Sequence, residues 1–199
     1  MIEPGAHPIE QESYRLLAER VDLQGRAAGE RTIVERVLHA TADLSFADSL
    51  RLSPGALEAG VLALRAGAPI VTDVEMLRAG LSRLDALCYL TEARREGDDG
   101  SGLTLSARGI RIGGARHATG AIFAVGCAPT ALEALLDLVE DGSVRPALVV
   151  GVPVGFVGAA GAKVRLQSTS GLAFVSNAGE RGGSAVAVAI LNAIAREAL

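Results

Sequence analysis

The sequence predicts a single α/β domain, residues 1–199, built on a mostly parallel, open β-sheet with helices on both faces. Short apolar runs alternate with amphipathic segments of helical length, a pattern typical of βαβ units. The run PALVVGV at 146–152 is apolar and rich in valine, as expected of a parallel strand that is covered on both faces. With 49% apolar and only 3% aromatic residues, the core should consist of small aliphatic side chains.

The first helix is expected at 9–21, because apolar residues at near-helical spacing follow Pro8, and helices often begin after a proline. Gly25 and Gly29 separate it from a second helix, which contains RVLHATAD at 36–43. The first two helices should flank the sheet-based core.

The second helix is predicted to be amphipathic. Its buried stripe consists of Ile33, Val34, Val37, Leu38 and Thr41. At about 100° per residue, the opposite face carries Arg36, His39 and Asp43, so a cation, an imidazole and a carboxylate share one polar strip. Any surface helix has such a face, so periodicity alone leaves an ordinary surface histidine open.

The third helix is expected in SPGALEAGVLALRAG, with Ser53 as its cap, the following proline in its first turn and Gly67 just past its end. A buried strand is expected at 68–71. The sequence Thr72-x-x-Glu75 then predicts a capping box that opens a short helix ending near residue 80.

The remaining elements continue the alternation of strands and helices. Strands are expected at 85–90, 120–126, 146–152 and 172–175, and helices at 129–139, 158–166 and 183–198. The polar loop REGDDGSG at 95–102 interrupts the series. Ligands of such sheets collect at the carboxyl ends of the strands, where TDVEM, GCAPTAL and PVGFVGAAGAK are predicted to lie.

Composition and missing motifs exclude several classes of function. A net charge of −4 without a basic block argues against nucleic acid binding. No window is apolar enough to span a membrane and the beginning, MIEPGAHPIEQE, lacks a signal peptide, so we expect a cytoplasmic protein. The sequence also lacks GxGxxG, GxxxxGK[ST] and GxSxG motifs, which leaves nucleotide binding and serine hydrolysis without support.

The cysteines and the other histidines do not predict a metal site. Cys88 and Cys127 are too few for a disulfide framework and lack the spacing of metal ligands, so we expect them in the core. His7 and His117 stand in loop-like sequence without partners at ligand spacing, and we expect them at the surface.

Several motifs taken together resemble a known family. They are Ile9-x-x-x-Ser13, RVLHATAD, FADSLRLSPGALEAGVLALRAGAPIVTDVEMLRAG, GCAPTAL, GVPVGFVGAAGAK and GGSAVAVAILNA. Their order is similar to that of the precorrin-8X methylmutases of corrin biosynthesis. The resemblance implies an α/β homodimer that moves a methyl group from C-11 to C-12 of precorrin-8X, giving hydrogenobyrinate, or acts on the cobalt-containing counterpart, without a diffusible cofactor.

The resemblance also implies roles for individual residues. His39 is the acid that drives the methyl shift, since an imidazole of ordinary pKa, about 6.5, can supply a proton near neutral pH. Arg36, Lys163 and helix amino termini are reasonable partners for the substrate's acetate and propionate arms. The expected substrate-binding residues are Ser13, Arg36, Thr72, Asp73, Thr104, Ser106, Arg108 and Lys163.

The chain departs from the family pattern at three places. Where the family commonly has Thr-Arg-Ser, this chain reads Thr104-Leu105-Ser106, so a substrate-binding cation is absent unless a later arginine, 108 or 111, takes its place. Cys127 replaces the asparagine of GNAPTAL, and Gly161 replaces a glutamate before the lysine.

Two other functions remain open from the sequence. A corrinoid carrier that binds the ring without rearranging it is favoured by the changes at Leu105 and Cys127. An unrelated Rossmann-like oxidoreductase is disfavoured by the missing glycine fingerprint.

Overall fold

The computed structural model describes residues 7–97 and 100–198. Its helices are α1 (Pro8–Arg20), α2 (Ala28–Thr41), α3 (Phe46–Ser49), α4 (Ala56–Arg65), α5 (Glu75–Gly80), α6 (Leu90–Arg95), α7 (Leu105–Arg116), α8 (Pro129–Glu140), α9 (Ala159–Ser168) and α10 (Ser184–Ala198). Its strands are β1 (Leu50–Leu52), β2 (Ile70–Thr72), β3 (Ala86–Cys88), β4 (Ile122–Val125), β5 (Leu148–Gly151) and β6 (Phe174–Asn177).

The strands form one six-stranded sheet in the order β1-β6-β5-β4-β2-β3. All neighbours pair in parallel except β1, which runs antiparallel to β6 at the sheet edge. The predicted α/β class with a mostly parallel sheet is therefore confirmed. Strands β4 and β5 are buried at every position, as expected where helices cover both faces.

Each face of the sheet has its own apolar core. On one face, α2, α4 and α10 pack over the sheet, with Ile33, Leu148 and Ile194 among the buried residues. On the other face, α7, α8 and α9 enclose a second cluster. Gly60 lets α4 approach α10 closely, because an added Cβ would lie 2.8 Å from Cγ2 of Ile194 in α10.

Helix α2 ends earlier than the sequence predicted. Ala42 takes a left-handed conformation with φ 54° and closes the helix, so Asp43 lies beyond it. The expectation that Asp43 shares a helical face with Arg36 and His39 is therefore wrong. The apolar stripe itself is confirmed, although Thr41 is only half-buried.

Two predicted helix caps are also wrong. Thr72 belongs to β2, and its hydroxyl donates to the carbonyl of Leu87 at 3.1 Å instead of capping α5, which begins at Glu75. Ser53 does not cap α4, because its hydroxyl accepts the N–H of Phe174 at 2.9 Å. In both cases a hydrogen bond to a neighbouring chain segment replaces the local one.

Helix α7 was not predicted from the sequence, since three glycines lower its intrinsic helix propensity. Close packing requires two of them: an added Cβ would lie 2.5 Å from Val71 at Gly113 and 2.9 Å from Leu138 at Gly114, so these glycines let α7 pack closely on β2 and α8. Helix α6 occupies the end of the strand predicted at 85–90 and the start of the expected loop at 95–102. Within that loop, residues 98 and 99 lie outside the described part of the chain.

The cysteines and His117 depart from expectation. Cys88 is half-buried and Cys127 is exposed, so the prediction of a core position is wrong for Cys127. His117 is half-buried and has a partner, because its Nε2 is hydrogen-bonded to the hydroxyl of Tyr89 at 2.7 Å. His7 is exposed, and its Nδ1 accepts the N–H of Ile9 at the start of α1.

Candidate active site

His39 lies near the carboxyl end of α2 and faces α1. Its Nδ1 is hydrogen-bonded to Oγ of Ser13 at a distance of 2.8 Å. This contact joins residues that are 26 positions apart, and it forms because α1 packs along α2. With Nδ1 engaged by Ser13, Nε2 is the ring nitrogen that can meet a ligand.

Tyr14, the residue after Ser13, covers one face of the imidazole. The two rings are stacked, with centroids 4.7 Å apart and planes inclined by 11°. Adjacent residues of α1 thus contact the same ring in two ways, one at its edge and one on its face. Tyr14 was not named from the sequence.

A pocket of about 320 Å³ opens at His39 between α1 and α2. Its apolar lining is Ile9, Leu16, Leu17, Leu38, Ala42 and Leu44. Glu12, Ser13 and Arg20 supply the polar lining beside His39. An apolar pocket with a few polar groups is typical of a small-molecule site.

The surroundings of His39 favour its neutral form in the free protein. Burial lowers the pKa of His39, and the nearby charge of Arg36 lowers it further. Glu10 opposes these effects and raises the pKa. Arg36 and Glu10 form an ion pair at 3.2 Å and line a separate cavity of about 580 Å³ together with residues of α10.

Asp73 lies at the carboxyl end of β2, as expected, but its carboxylate is directed into the protein. It is 1% exposed and accepts the N–H groups of Gly126, Cys127 and Ala128. Burial raises the pKa of Asp73, while these amides act in the opposite direction. Asp73 therefore holds the GCAPTAL turn in place from inside the protein, and the neighbouring Thr72 is also buried.

Lys163, the single lysine of the sequence, is fully buried below the loop that follows β6. Its Nζ donates to the carbonyl of Arg181 at 2.5 Å and to Oδ1 of Asn177 at 3.3 Å. The exposed guanidinium of Arg181 pairs with Asp43, just past the end of α2. Lys163 thus supports a loop that contacts the segment just past the helix carrying His39.

Replacing Lys163 with methionine is expected to change how stability depends on pH. Burial lowers the pKa of Lys163 to about 8, so the charged amine is disfavoured in the fold. The stability contributed by this shift is fully present above about 10.5, the ordinary lysine pKa, and is lost as pH falls through about 8. The free energy of unfolding of the wild type should therefore rise relative to the variant between these values.

Chemical denaturation at about pH 7.5 and about pH 9.5 measures this difference, since the other titrating groups are common to both proteins. Direct titration of the single lysine side chain by NMR provides a second measurement. A Lys163 pKa near 10.5 would contradict the prediction.

The predicted residues at the start of α7 lie on the opposite face of the sheet from α2. The hydroxyl of Thr104 accepts the N–H of Ala107 and is 2.7 Å from that of Thr130. Arg108 donates to the carbonyl of Ala93, and Arg111 lies 3.7 Å from Asp137. The structure therefore brings Ser13 and His39 into direct contact, with Arg36 one turn away, and keeps Thr104, Ser106 and Arg108 apart from them.

Comparison with known proteins identifies the family. The model of the precorrin-8X methylmutase family matches residues 8–197. The chain belongs to this family. The precorrin-8X methylmutase of Pseudomonas aeruginosa is 39% identical over 206 residues, covering 95% of this chain and 94% of the relative. The cobalt-precorrin-8 methylmutase of Priestia megaterium is 35% identical over 194 residues, covering 94% and 85%.

Solved structures agree with the family assignment. The crystal structure of a precorrin-8X methylmutase from Thermus thermophilus has a TM-score of 0.86 and 34% identity, and the match covers 96% of this chain and 95% of that chain. The resemblance inferred from the sequence motifs is thus confirmed, and the chain is an isomerase of the intramolecular transferase type. The Rossmann-like oxidoreductase alternative is excluded.

The described residues of this chain lack both a metal-binding cluster and a membrane-spanning helix. No group of three or more histidine, cysteine and acidic side chains could hold a metal ion there. None of its described helices is long and apolar enough to cross a bilayer.

Sequence reasoning missed Tyr14, which contacts His39, and Arg181, which contacts the segment that follows α2. Tyr14 stacks on the ring, and Arg181 connects the loop after β6 to Asp43. The position of Tyr14 could have been predicted from the sequence, because it adjoins Ser13 in the first motif. It also lies one helical turn after Glu10, on the side of α1 that faces α2. Arg181 had only its position in GERGGS.

Proposed function

We propose that this chain moves a methyl group from C-11 to C-12 of a precorrin-8 macrocycle, with His39 as the acid. The observation that carries the proposal is the geometry of His39: Nδ1 is hydrogen-bonded to Ser13, and the ring borders a mostly apolar pocket. A second titratable group at hydrogen-bond distance is not needed, because the shift requires a single proton donor. Family membership supports the same reaction.

In the proposed mechanism, Nε2 of His39 donates a proton to the conjugated ring system, which makes the neighbouring carbon electron-poor. The methyl group then moves with its bonding electron pair, and the proton returns to Nε2, so the reaction is a net isomerisation. The hydroxyl of Ser13 suits both protonation states, since it can donate to a neutral Nδ1 or accept from a protonated one.

The substrate itself would promote protonation of His39. In the free protein, burial and Arg36 lower the pKa of His39. Acetate and propionate arms bring negative charge close to the ring, and nearby negative charge favours the imidazolium form. The acid would thus be generated mainly when the substrate is bound.

Substrate-binding roles divide according to exposure. Arg36 is half-buried and one turn from His39, so in our proposal it contacts a carboxylate arm. Thr104 and Ser106 are accessible but lie on the other face of the sheet from α2, so in our proposal they contact an arm only across a dimer interface. Arg108 does so only if it leaves the carbonyl of Ala93. Thr72, Asp73 and Lys163 are at most 2% exposed and would act by shaping the loops around the substrate.

We also propose that the enzyme is a homodimer. The pocket of about 320 Å³ is at the small end of the range for drug-sized ligands, about 300–1,000 Å³, whereas a macrocycle with carboxylate arms is larger. Phe156 and Val157 are 92% and 89% exposed, which supports burial against another copy. Light scattering of the purified protein measures the oligomeric state.

The cytoplasmic location stays a prediction.

A conversion assay tests the reaction. The purified protein is incubated with metal-free precorrin-8X or with cobalt-precorrin-8 while the visible spectrum is recorded. Appearance of the hydrogenobyrinate spectrum, or that of its cobalt counterpart, supports the methylmutase and shows which substrate is converted faster. Binding of both compounds without a spectral change would contradict it and support the carrier.

The pH dependence of turnover should reflect the lowered pKa of His39. As pH rises through this pKa, which is below 6.5, the acid form of the free enzyme is lost and kcat/KM falls. The decline in kcat should occur at higher pH, because bound carboxylates raise the pKa. Glu10 raises the pKa in the free enzyme, so Glu10→Gln should move the decline in kcat/KM to lower pH.

The matched control for this variant is Glu19→Gln, which removes an exposed carboxylate of α1 that pairs with Arg15. Its profile should coincide with that of the wild type. A Glu10→Gln profile that coincides with the wild type, or moves to higher pH, would contradict the electrostatic account.

A further inference from the structure

The imidazole of His39 needs more than one restraint to point Nε2 in a fixed direction. The torsion that rotates a histidine ring has broad, shallow preferences, so the side chain does not fix its own plane. The hydrogen bond to Ser13, 2.8 Å long, holds one atom of the ring. Because a single hydrogen bond tolerates a range of distances and angles, the ring can still rotate about its Cβ–Cγ bond and move Nε2.

Tyr14 restrains that remaining rotation. Its ring lies 4.7 Å from the imidazole with an angle of 11° between the planes, so a rotated imidazole would lose the stacked contact or collide with the tyrosine. The contact at the ring edge and the contact on the ring face act in different directions. Together they define both the position and the plane of the acid.

The hydroxyl of Tyr14 contributes less than its ring. It accepts a hydrogen bond from Nη1 of Arg36 at 3.5 Å, the long limit for such a bond. Arg36 is held at the same time by Glu10 at 3.2 Å. The geometry therefore separates two parts of one side chain: a ring in close contact with His39, and a hydroxyl with a weak contact to an ion pair.

We propose that Tyr14 is a positioning residue for the methyl shift, and that its aromatic ring holds the plane of His39 so that Nε2 faces the substrate. This inference rests on the proposed role of His39 as the acid. It predicts that loss of the ring lowers kcat, while loss of the hydroxyl alone has little effect. KM should change little, because the restraint matters for proton transfer and not for holding the macrocycle.

Two variants of Tyr14 test the proposal. Tyr14→Leu removes the ring and is expected to lower kcat by about tenfold or more, since small misplacement of a reacting group is costly. Tyr14→Phe keeps the ring and should stay within about twofold of the wild type. The matched control is Tyr89→Leu, which removes a tyrosine from His117 and should leave kcat unchanged.

An NMR measurement distinguishes positioning from general loosening. A stacked aromatic ring shifts the carbon-bound protons of His39, so their signals should move in Tyr14→Leu and stay in Tyr14→Phe. Thermal unfolding of each variant shows whether α1 remains packed, and Ser13→Ala reports the loss of the other restraint while the stack remains.

The outcomes separate this inference from the function on which it depends. Turnover that survives replacement of His39 overturns the proposed acid. Turnover that is lost without His39 but unchanged in Tyr14→Leu leaves the acid in place and overturns the positioning role. Equal losses of kcat in Tyr14→Leu and Tyr14→Phe also overturn it, because the hydroxyl would then carry the effect.

Discussion

Replacement of His39 with asparagine is expected to lower kcat for methyl migration about a thousandfold, within the range that general acid catalysis contributes. The amide of asparagine can still form a hydrogen bond with Ser13, so the local packing should persist. It does not titrate near neutral pH and supplies no acid. Spectral conversion of the substrate measures kcat, and titration with hydrogenobyrinate measures binding, which should remain close to that of the wild type.

His117→Asn is the control for this substitution. His117 is half-buried and hydrogen-bonded to Tyr89, as His39 is to Ser13, but it lies at the end of α7, away from the pocket. Its replacement should leave kcat within about twofold, because no reacting group depends on it. Turnover in His39→Asn above about a tenth of the wild-type rate would show that another group donates the proton.

The alternation of strands and helices was predictable because the local spacing of apolar residues indicates each element. The apolar stripe of α2 and the apolar run of β5 each reflect burial of a whole element. Edge strand β1 is three residues long and is paired by β6 from the other end of the chain, so its local pattern is too short to identify. The glycines of α7 oppose helix formation locally and are explained only by packing.

The candidate site was partly predictable for a different reason. Motif resemblance placed Ser13 and His39 in one site, but it did not predict the hydrogen bond between them, since neither residue alone predicts the other. The burial of Asp73 and Lys163 did not follow, because a polar residue at the end of a strand can face either a ligand or a neighbouring loop. The sequence specifies which residues lie at the carboxyl edge, whereas the direction of each side chain depends on loops that contact it from elsewhere in the chain.

Of the substitutions proposed for this chain, Asp73→Ala is expected to lower the free energy of unfolding most, by about 3–5 kcal/mol. The carboxylate accepts three N–H groups, with the two shortest bonds at 2.8 Å, and it is almost completely buried. Each buried donor left without a partner costs about 1–3 kcal/mol, and partial relaxation of the turn reduces the sum. In a chain of 199 residues this should lower Tm by about 10 °C, which calorimetry can measure.

Asp137→Ala provides the contrast, because Asp137 is half exposed and pairs with Arg165 at 2.8 Å on the surface of α8. Exposed ion pairs contribute about 0–1 kcal/mol, so this variant should unfold close to the wild-type temperature. Asp73→Asn should fall between the two, since one oxygen remains an acceptor while the new N–H₂ group faces backbone donors. Equal stability of the two alanine variants would show that the amides of the GCAPTAL turn find other partners, and that Asp73 is free for a different role.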